Sequence, residues 1–600
     1  MRFLILIFVG VFALRLFLLQ IVSGEKYSIL AERNRFQIFY RQAPRGAILD
    51  RTGYPLASNV GVFNLYFNPR LLLEEPDKRV EAVSAILNLK KQDLDKEIAL
   101  ARSGGRTQLV ARQIAPEAAF RFMERQEAFP EFFLASESLR YYPLGEAFSH
   151  VLGYLTRIKS RAQYERLKDL GYRFDSWLGG YGLEKNFEEY LKGTDGAVLI
   201  EVDVRGRPIN RGVDTLREGH SGSGGLRLIE DAYPGQDMAL TVDHRLLMTA
   251  YAALRDSPSG AGSVVGLDPL TGRVLVLVST PGFDPNAYIR LDSGEDEAGR
   301  AEFPRALTGL YPAGSTFKVV TSVAALEKGI DPGRRYNCTG KFALPGRVFR
   351  CWKEEGHGSC DLVEGLKHSC DVYFYNAGLF AGGESISAWA MKFSLGRSMF
   401  VREFPEWSKQ GFIPTPAWKE EKKRSSWYPG DTLNLSIGQG EVLVTPLQLA
   451  ALFSLVATRG RLPQPYIVEV VGDVSSGALG LTAQKTPIQV GGLSAKTWEL
   501  VEAGLRAVVD GGTGRGANIP NRAIFGKTGT SQNPLGKDHA LFACYLKDDQ
   551  GTPRLALGVI IEHGGQGSTA AVPVARRVLE EFIRIEPDFA KTETGASAPL

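Results

Sequence analysis

One stretch of the chain, residues 311–328, has the sequence YPAGSTFKVVTSVAALEK. Its proline and glycine end a loop, and Ser315 then begins a run whose apolar pattern predicts a helix. Positions i and i+3 of a helix lie on one face, with Cβ atoms about 5–6 Å apart. Lys318 can therefore reach the Ser315 hydroxyl, and a neutral lysine can activate a serine as a nucleophile.

A second short motif, Ser369-Cys370-Asp371, follows 54 residues after Ser315. Its hydroxyl and carboxylate could relay a proton and orient Lys318. Each motif alone is weak, because Ser and Asp are common helix caps and lysines are usually solvated. The chain also contains a rival S-x-x-K at residues 23–26 and a rival S-x-N at residues 531–533.

A third motif, KTGT, occupies residues 527–530 at the end of an apolar run. Lys527 with the hydroxyls of Thr528 and Thr530 suits a substrate carboxylate. Gly529 would let a substrate backbone lie against the strand edge. The order S-x-x-K, S-x-D and K-T-G-T matches the outline of the penicillin-binding signature, so the joint pattern is far stronger than its parts.

Length and composition limit the other possibilities. The 600 residues predict three to five domains, and a net charge of +4 argues against nucleic-acid binding driven by bulk charge. The sequence has no H-E-x-x-H and no G-x-x-x-x-G-K-[ST], so zinc-protease and P-loop chemistry lack support.

The amino-terminal residues 3–22 are almost continuously apolar and just long enough to cross a bilayer. We expect residues 1–23 to form an uncleaved transmembrane anchor. A cleaved signal peptide is the alternative, although no clear A-x-A site follows the run.

The downstream pattern predicts an α+β fold with an antiparallel sheet. Strands are expected at 523–530, 540–546 and 554–562, and a hairpin is expected over 263–281 with its turn at 269–272. Helices are expected at 316–328 and 362–380. We divide the rest of the chain into an elongated, non-catalytic, mixed α/β pedestal at 24–235, a catalytic domain at 236–587 and a disordered tail at 588–600.

Four of the five cysteines fall within residues 338–370 and surround His357. Disulfides are the default in an exported protein, and one tetrahedral zinc is the alternative. We favour a structural zinc in this Cys-rich insertion, residues 335–370. Its ligands would be Cys338, Cys351, His357 and Cys370, with Cys360 surplus.

The chain resembles the class B penicillin-binding proteins, and most closely their elongation-type branch. The wider family has an S-x-N motif, whereas this chain has S-x-D with Asp371, which resembles the S-x-D motif of the elongation-type branch. The resemblance extends over nearly the whole chain, and its further motifs are PRGAILDRTG at 44–53, RYYP at 140–143, HVLG at 150–153, GGYGLE at 179–184, GQG at 438–440 and TP at 445–446.

The resemblance implies a penicillin-binding, serine β-lactamase-like fold and a peptidoglycan D,D-transpeptidase that acts during cell elongation. Ser315 would attack the donor peptide, Lys318 would be the base, and Ser369 and Asp371 would shuttle the proton. Lys527, Thr528 and Thr530 would hold the donor carboxylate, and the backbone N–H groups of Ser315 and Thr530 would form the oxyanion hole. β-Lactams would acylate Ser315.

The resemblance also implies where the protein acts and with what. The catalytic domain would lie outside the bacterial cytoplasmic membrane. Its partners would be stem peptides, a multi-span glycan polymerase of the SEDS type and an elongation-complex scaffold protein. Some elongation-type relatives carry zinc in the cysteine region, and no organic cofactor is implied. Three alternatives remain: a division-type transpeptidase, a D,D-carboxypeptidase, and a penicillin-binding sensor or scaffold without turnover.

Overall fold

The structure is a computed structural model that describes residues 2–23, 36–71, 76–104, 107–174, 176–201, 226–290, 303–399, 401–407, 409–472, 487–534 and 536–586. The tail expected at 588–600 lies outside these residues. At the amino terminus an α-helix, Arg2–Phe17, continues into a π-helical segment, Leu18–Val22. Within the described residues, no helix combines the length and the apolarity needed to span a membrane, so the anchor stays a prediction.

The catalytic domain is built on a five-stranded antiparallel sheet in the order β2-β1-β5-β4-β3. Its strands are β1 Gly262–Leu267, β2 Val274–Thr280, β3 Ala523–Ser531, β4 His539–Lys547 and β5 Pro553–Ile561. The predicted hairpin and the three carboxy-terminal strands are therefore confirmed. β3, which carries the KTGT motif, is an edge strand.

Helices cover both faces of this sheet. We number the longer ones α1 His244–Arg255, α2 Lys318–Glu327, α3 Leu362–Lys367, α4 Asp371–Ala381, α5 Gly383–Lys392, α6 Pro416–Lys423, α7 Pro429–Ser436, α8 Pro446–Ala457, α9 Ala495–Gly511 and α10 Gly567–Ile585. Every residue of α8 is buried, as expected for a helix that is apolar on all sides. It packs on β1 and β5, while α1 and α10 pack together, with α10 against β4.

The single helix expected at 362–380 is wrong, because α3 ends at Lys367 and α4 begins at Asp371. Ser369 lies between them in the left-handed region, with φ of 54°. A non-glycine residue there costs about 1–3 kcal/mol and cannot continue a helix. The Cys370 side chain then caps α4 by accepting the Tyr373 backbone N–H at 3.4 Å.

The described part of the pedestal contains a two-stranded sheet, in which Leu155–Arg157 pairs with Trp177–Gly179, and two larger sheets. One has strands Phe36–Arg41, Gly196–Glu201 and Leu226–Glu230. The other contains Ile48–Leu49, Pro55–Phe67, Gln108–Ile114, Phe132–Tyr141, Met238–Leu240 and Val468–Val471. Because its last strand follows α8 in the chain, this second sheet joins the pedestal to the catalytic domain.

A separate small core lies at the far end of this second sheet. Helices Pro76–Leu87, Lys91–Gly104 and Pro116–Met123 cover it there. The shorter pedestal helices are Ser149–Leu152, Arg161–Leu167, Gly182–Asn186 and Glu188–Leu191.

A buried charge network explains three of the pedestal motifs. Glu184 accepts hydrogen bonds from Arg140 Nε at 2.6 Å and from Arg45 Nη2 at 2.8 Å. Burial would raise the pKa of the Glu184 carboxyl, but the charges of Arg140 and Arg45 outweigh it and hold that pKa below its usual value. Buried ions are tolerated only when paired in this way, so the three motifs fix one another's positions.

A second set of ion pairs attaches the pedestal to α1 and α10. Asp50 Oδ2 accepts the His244 backbone N–H at 2.9 Å and lies 2.7 Å from His244 Nδ1. Arg51 pairs with Asp243 at 3.0 Å and with Glu586 at 2.6 Å. These contacts join residues 50–51 of the pedestal to the start of α1 and the end of α10.

Candidate active site

The predicted nucleophile lies in a tight turn that packs against β3. Residues Gly314–Phe317 form a 3₁₀ turn that leads directly into α2, and Ser315 is half-buried there. Gly314 has φ of 52°, and a Cβ at this position would lie 2.5 Å from the Thr530 carbonyl oxygen. Only glycine fits this backbone and this approach. The turn and the end of β3 are therefore in direct contact.

Lys318 is fully buried and is bound by the second motif. Its Nζ donates to Ser369 O at 2.8 Å, to Ser369 Oγ at 3.1 Å and to Asp371 Oδ1 at 2.7 Å. Three oxygen atoms of the second motif therefore surround this buried amine. Within the described chain no hydrogen bond joins Lys318 to Ser315, so direct contact between those two side chains stays a prediction.

The left-handed Ser369 is what turns both of its oxygens toward Lys318. Asp371 is held on its other side, because its Oδ2 accepts the Trp352 backbone N–H at 2.9 Å. Trp352 was not singled out for this role from the sequence. The donor is its backbone N–H, which almost any residue type would supply, so the residue type gives no sign of this contact.

Lys527 enters the same region from β3 and is fully buried. Its Nζ donates to the Thr528 carbonyl oxygen at 3.1 Å. Burial, and then the positive charge of Lys318, hold the pKa of Lys527 well below its usual value, while Asp371 opposes them. A carboxylate bound beside Lys527 would favour its protonated form.

Neighbouring protein atoms pack closely against the glycine of KTGT. A Cβ at Gly529 would lie 3.1 Å from Leu541 Cβ and 3.1 Å from Thr316 Cγ2. The space is taken by neighbouring protein atoms. Gly529 therefore permits the nucleophile turn to pack against the strand.

Two further residues belong to this cleft and were not predicted as site residues, although one of them lies in the GQG motif. Thr513 Oγ1 lies 2.7 Å from Thr528 Oγ1, and Gln439 Nε2 donates to the Thr530 carbonyl oxygen at 3.1 Å. The GQG turn also binds the nucleophile turn, since Gly314 N donates to Gly438 O at 2.9 Å. Thr513 and Gln439 lie in glycine-rich segments, 511–514 and 438–440, which could have drawn attention to them. The spacing of these segments in the sequence does not show what they contact.

The predicted zinc ligands come together beside the second motif. The donor atoms of Cys338, Cys351, His357 and Cys370 all lie within 4.8 Å of one another. His357 Nδ1 is 3.7 Å from Cys338 Sγ and 3.5 Å from Cys351 Sγ. Sulfur and imidazole donors at such separations fit a tetrahedral zinc, whose Zn–S bonds are about 2.3 Å long.

All five cysteines are free thiols in the structure. The hydrogen bond between Cys351 and Cys370 lowers the pKa of the Cys351 thiol and raises that of Cys370. Cys360 Sγ lies outside the four-residue group, 3.9 Å from the His357 carbonyl oxygen. Cys544 is a buried thiol on β4, away from the cluster.

Two family models match this chain. Residues 262–580 match the penicillin binding protein transpeptidase domain, and residues 40–224 match the penicillin-binding protein dimerisation domain. The nucleophile turn, the second motif and β3 all fall in the first match. The chain belongs to the penicillin-binding protein transpeptidase family.

Particular relatives are similar over almost the full length. Peptidoglycan D,D-transpeptidase MrdA of Acinetobacter baumannii is 32% identical, with 95% of this chain and 84% of that protein covered. The protein of the same name from Haemophilus influenzae is 31% identical, with 96% and 90% covered.

Solved structures of this fold are also similar. A chain from a peptidoglycan synthase complex that coordinates polymerization and crosslinking has a TM-score of 0.73 and 28% identity, with 98% of both chains covered. Pseudomonas aeruginosa PBP2 in complex with WCK 5153 has a TM-score of 0.64 and 26% identity, with 94% of this chain and 100% of that chain covered.

The burial of Lys527 makes stability depend on pH. The pKa of Lys527 lies below 10.5 in the folded protein and returns to about 10.5 on unfolding. At a pH between the folded-state and unfolded-state pKa, unfolding therefore takes up a proton. Compared with Lys527→Met, the wild type should therefore gain stability as pH rises through this window, by up to about 1.4 kcal/mol per pH unit. Urea unfolding of both proteins at several pH values measures the difference. A difference that stays constant or falls with pH would refute the lowered pKa.

Proposed function

We propose that this protein is a peptidoglycan D,D-transpeptidase of the cell-elongation type, acting through an acyl-serine intermediate. The observation that carries the proposal concerns Lys318, which lies three residues after Ser315. Its buried amine is bound by Ser369 and Asp371. The relatives named peptidoglycan D,D-transpeptidase support the same reaction.

In the proposed acylation step, Ser315 Oγ attacks the carbonyl carbon of the donor's penultimate D-alanine. Lys318 takes the serine proton, and Asp371 stabilises the resulting charge. The proton passes through Ser369 to the leaving D-alanine. The hydrogen bond from Lys318 Nζ to Ser369 Oγ supports the second part of this transfer.

The donor is proposed to lie along the edge of β3. Lys527, Thr528 and Thr530 would hold its terminal carboxylate. The Thr530 carbonyl faces Gln439, and N–H and C=O groups of one strand residue point to the same side. The Thr530 N–H therefore faces the nucleophile turn, which suits it to stabilise the oxyanion together with the Ser315 N–H.

A fluorescent penicillin tests the nucleophile directly. The wild-type chain should form a covalent adduct, which peptide mapping by mass spectrometry should place on Ser315, and Ser315→Ala should lose it. Ser23→Ala, in the rival S-x-x-K, is the matched control and should label like the wild type. Labelling that persists in Ser315→Ala, or its absence from folded wild-type protein, would refute the proposed nucleophile.

Turnover separates the remaining functions. With a D-alanyl-D-alanine donor and an amine acceptor, a transpeptidase releases D-alanine and forms the transfer product. A carboxypeptidase releases D-alanine without transfer, and a sensor becomes acylated by penicillin without either product.

We also propose a structural zinc held by Cys338, Cys351, His357 and Cys370. The metal would tie the hairpins at 336–360 to the start of α4. It would fix Cys370, which lies between Ser369 and Asp371 in the chain. It would also fix Cys351, the residue before Trp352, whose backbone N–H donates to Asp371. Its role is to hold the chain in place, and no reaction step passes through it.

Metal analysis tests this site. The purified protein should contain about one zinc per chain, and Cys351→Ser should lower its zinc content because a structural site uses four protein ligands. Cys544→Ser removes an equally buried thiol outside the cluster and should retain the metal. A metal-free wild type with disulfides among residues 338–370 in mass spectrometry would support the alternative.

We propose further that residues 3–22 anchor the protein in the cytoplasmic membrane with the catalytic domain outside. Apolar side chains such as Phe8, Phe12 and Ile21 are exposed along this segment. Deleting residues 1–22 should move the protein from the membrane fraction to the soluble fraction. Retention of the truncated protein in carbonate-washed membranes would contradict the anchor.

The proposed partners are a SEDS-type glycan polymerase in the membrane and an elongation scaffold protein on the pedestal. The similar chain in a peptidoglycan synthase complex supports the first partner.

A further inference from the structure

A cavity of about 530 Å³ lies between α6 and α7. Its volume is within the range of small-ligand sites, about 300–1,000 Å³. Its lining combines two indole rings with amide and charged groups, and includes Trp418, Trp427, Lys423, Asn434, Gln439 and Glu441. None of the three sequence motifs contributes to it.

One wall of this cavity is shared with the catalytic cleft. Gln439 lines the cavity and also donates to the Thr530 carbonyl oxygen. Its neighbour Gly438 accepts from the Gly314 N–H, one residue before Ser315. Gln439 therefore connects the cavity to the end of β3, where the donor carboxylate is proposed to bind.

The cavity offers groups of both charges to a ligand. Lys423 Nζ lies 3.2 Å from Glu441 Oε1, and both lining side chains are about half exposed. The Asn434 side-chain amide lines the cavity and has no hydrogen-bond partner among the described residues. Trp418 supplies an apolar face and packs edge-on against Phe412 with centroids 4.6 Å apart.

These features match the second substrate of the proposed reaction. An acceptor stem peptide carries carboxylates together with the amine that must reach Ser315. Lys423 can pair with a carboxylate, Glu441 with an ammonium group and Asn434 with a backbone amide. The donor alone needs no such site, because its terminal carboxylate is proposed to bind at β3.

We propose that the α6–α7 cavity is the acceptor subsite, which binds a peptide carrying both carboxylates and a free amine. The inference rests on the proposed transpeptidase function. In the step it serves, the acceptor nitrogen bonds to the acyl carbon and the ester bond to Ser315 Oγ breaks. One amine proton passes through Lys318 to Ser315 Oγ, which regenerates the serine.

The test separates acylation from transfer in the full-length chain. A thioester analogue of the acyl-D-alanine donor is supplied with a free tripeptide that ends in a diamino acid, and the transfer and hydrolysis products are quantified. Lys423→Glu should lower the transfer-to-hydrolysis ratio about tenfold, as expected for the loss of one charged hydrogen bond. Asn434→Ala should lower it in the same direction.

The matched control is Lys422→Glu, the neighbouring lysine on α6. Lys422 is 62% exposed, pairs with Glu421 on its own helix and does not line the cavity. Its product ratio should stay within about twofold of the wild type, since surface pairs contribute little. Fluorescent-penicillin acylation of all three variants should keep its wild-type rate.

Each other outcome has a distinct meaning. Unchanged product ratios in both Lys423→Glu and Asn434→Ala would overturn the acceptor subsite while leaving the transpeptidase proposal intact. Reduced acylation in both variants would also overturn the acceptor subsite, because the cavity would then be needed for the acylation of Ser315 and not only for transfer to the acceptor. A wild type that penicillin does not acylate would instead reject the proposed function itself.

Discussion

The buried amine of Lys318 is the interaction on which the site depends. An amine buried away from water needs hydrogen-bond acceptors, and the charge it gains on taking up a proton costs several kcal/mol unless an opposite charge compensates it. Here the compensation comes from Ser369 and Asp371, at 2.7–3.1 Å from Nζ. Both residues must approach from the same side, which a continuous helix through residues 362–380 would not allow. The left-handed Ser369 and the break between α3 and α4 follow from that requirement.

Close backbone packing is the second constraint. The nucleophile turn, the GQG turn and the end of β3 meet at positions where a Cβ would collide with main-chain atoms. At Gly438, for example, a Cβ would lie 2.4 Å from the Gly314 carbonyl oxygen. Such contacts leave little freedom for relative movement. Ser315, Thr530 and Gln439 are therefore positioned by one rigid arrangement, before any substrate binds.

The sequence was most informative where chemistry and periodicity coincide. The strands that form β3, β4 and β5 were predicted within two residues of their observed bounds, and the four proposed zinc ligands were chosen by residue type and lie together. What it could not show were contacts made by the backbone or between distant segments. The Trp352 N–H on Asp371, the Gln439 amide on Thr530 and the Glu184 network all join residues that local patterns leave unrelated. Helix periodicity also failed at Ser369, because tertiary contacts override local propensity there.

The most direct test of this account is the second-order rate constant for penicillin acylation of Asp371→Asn. The substitution preserves shape but removes the charge that binds Lys318, whose proton uptake would then lack a counter-ion. We expect the rate constant to fall by about 10²-fold or more, in the range of general acid–base contributions, while the protein stays folded. A folded Asp371→Asn protein that acylates within twofold of the wild-type rate would contradict the central role of this ion pair.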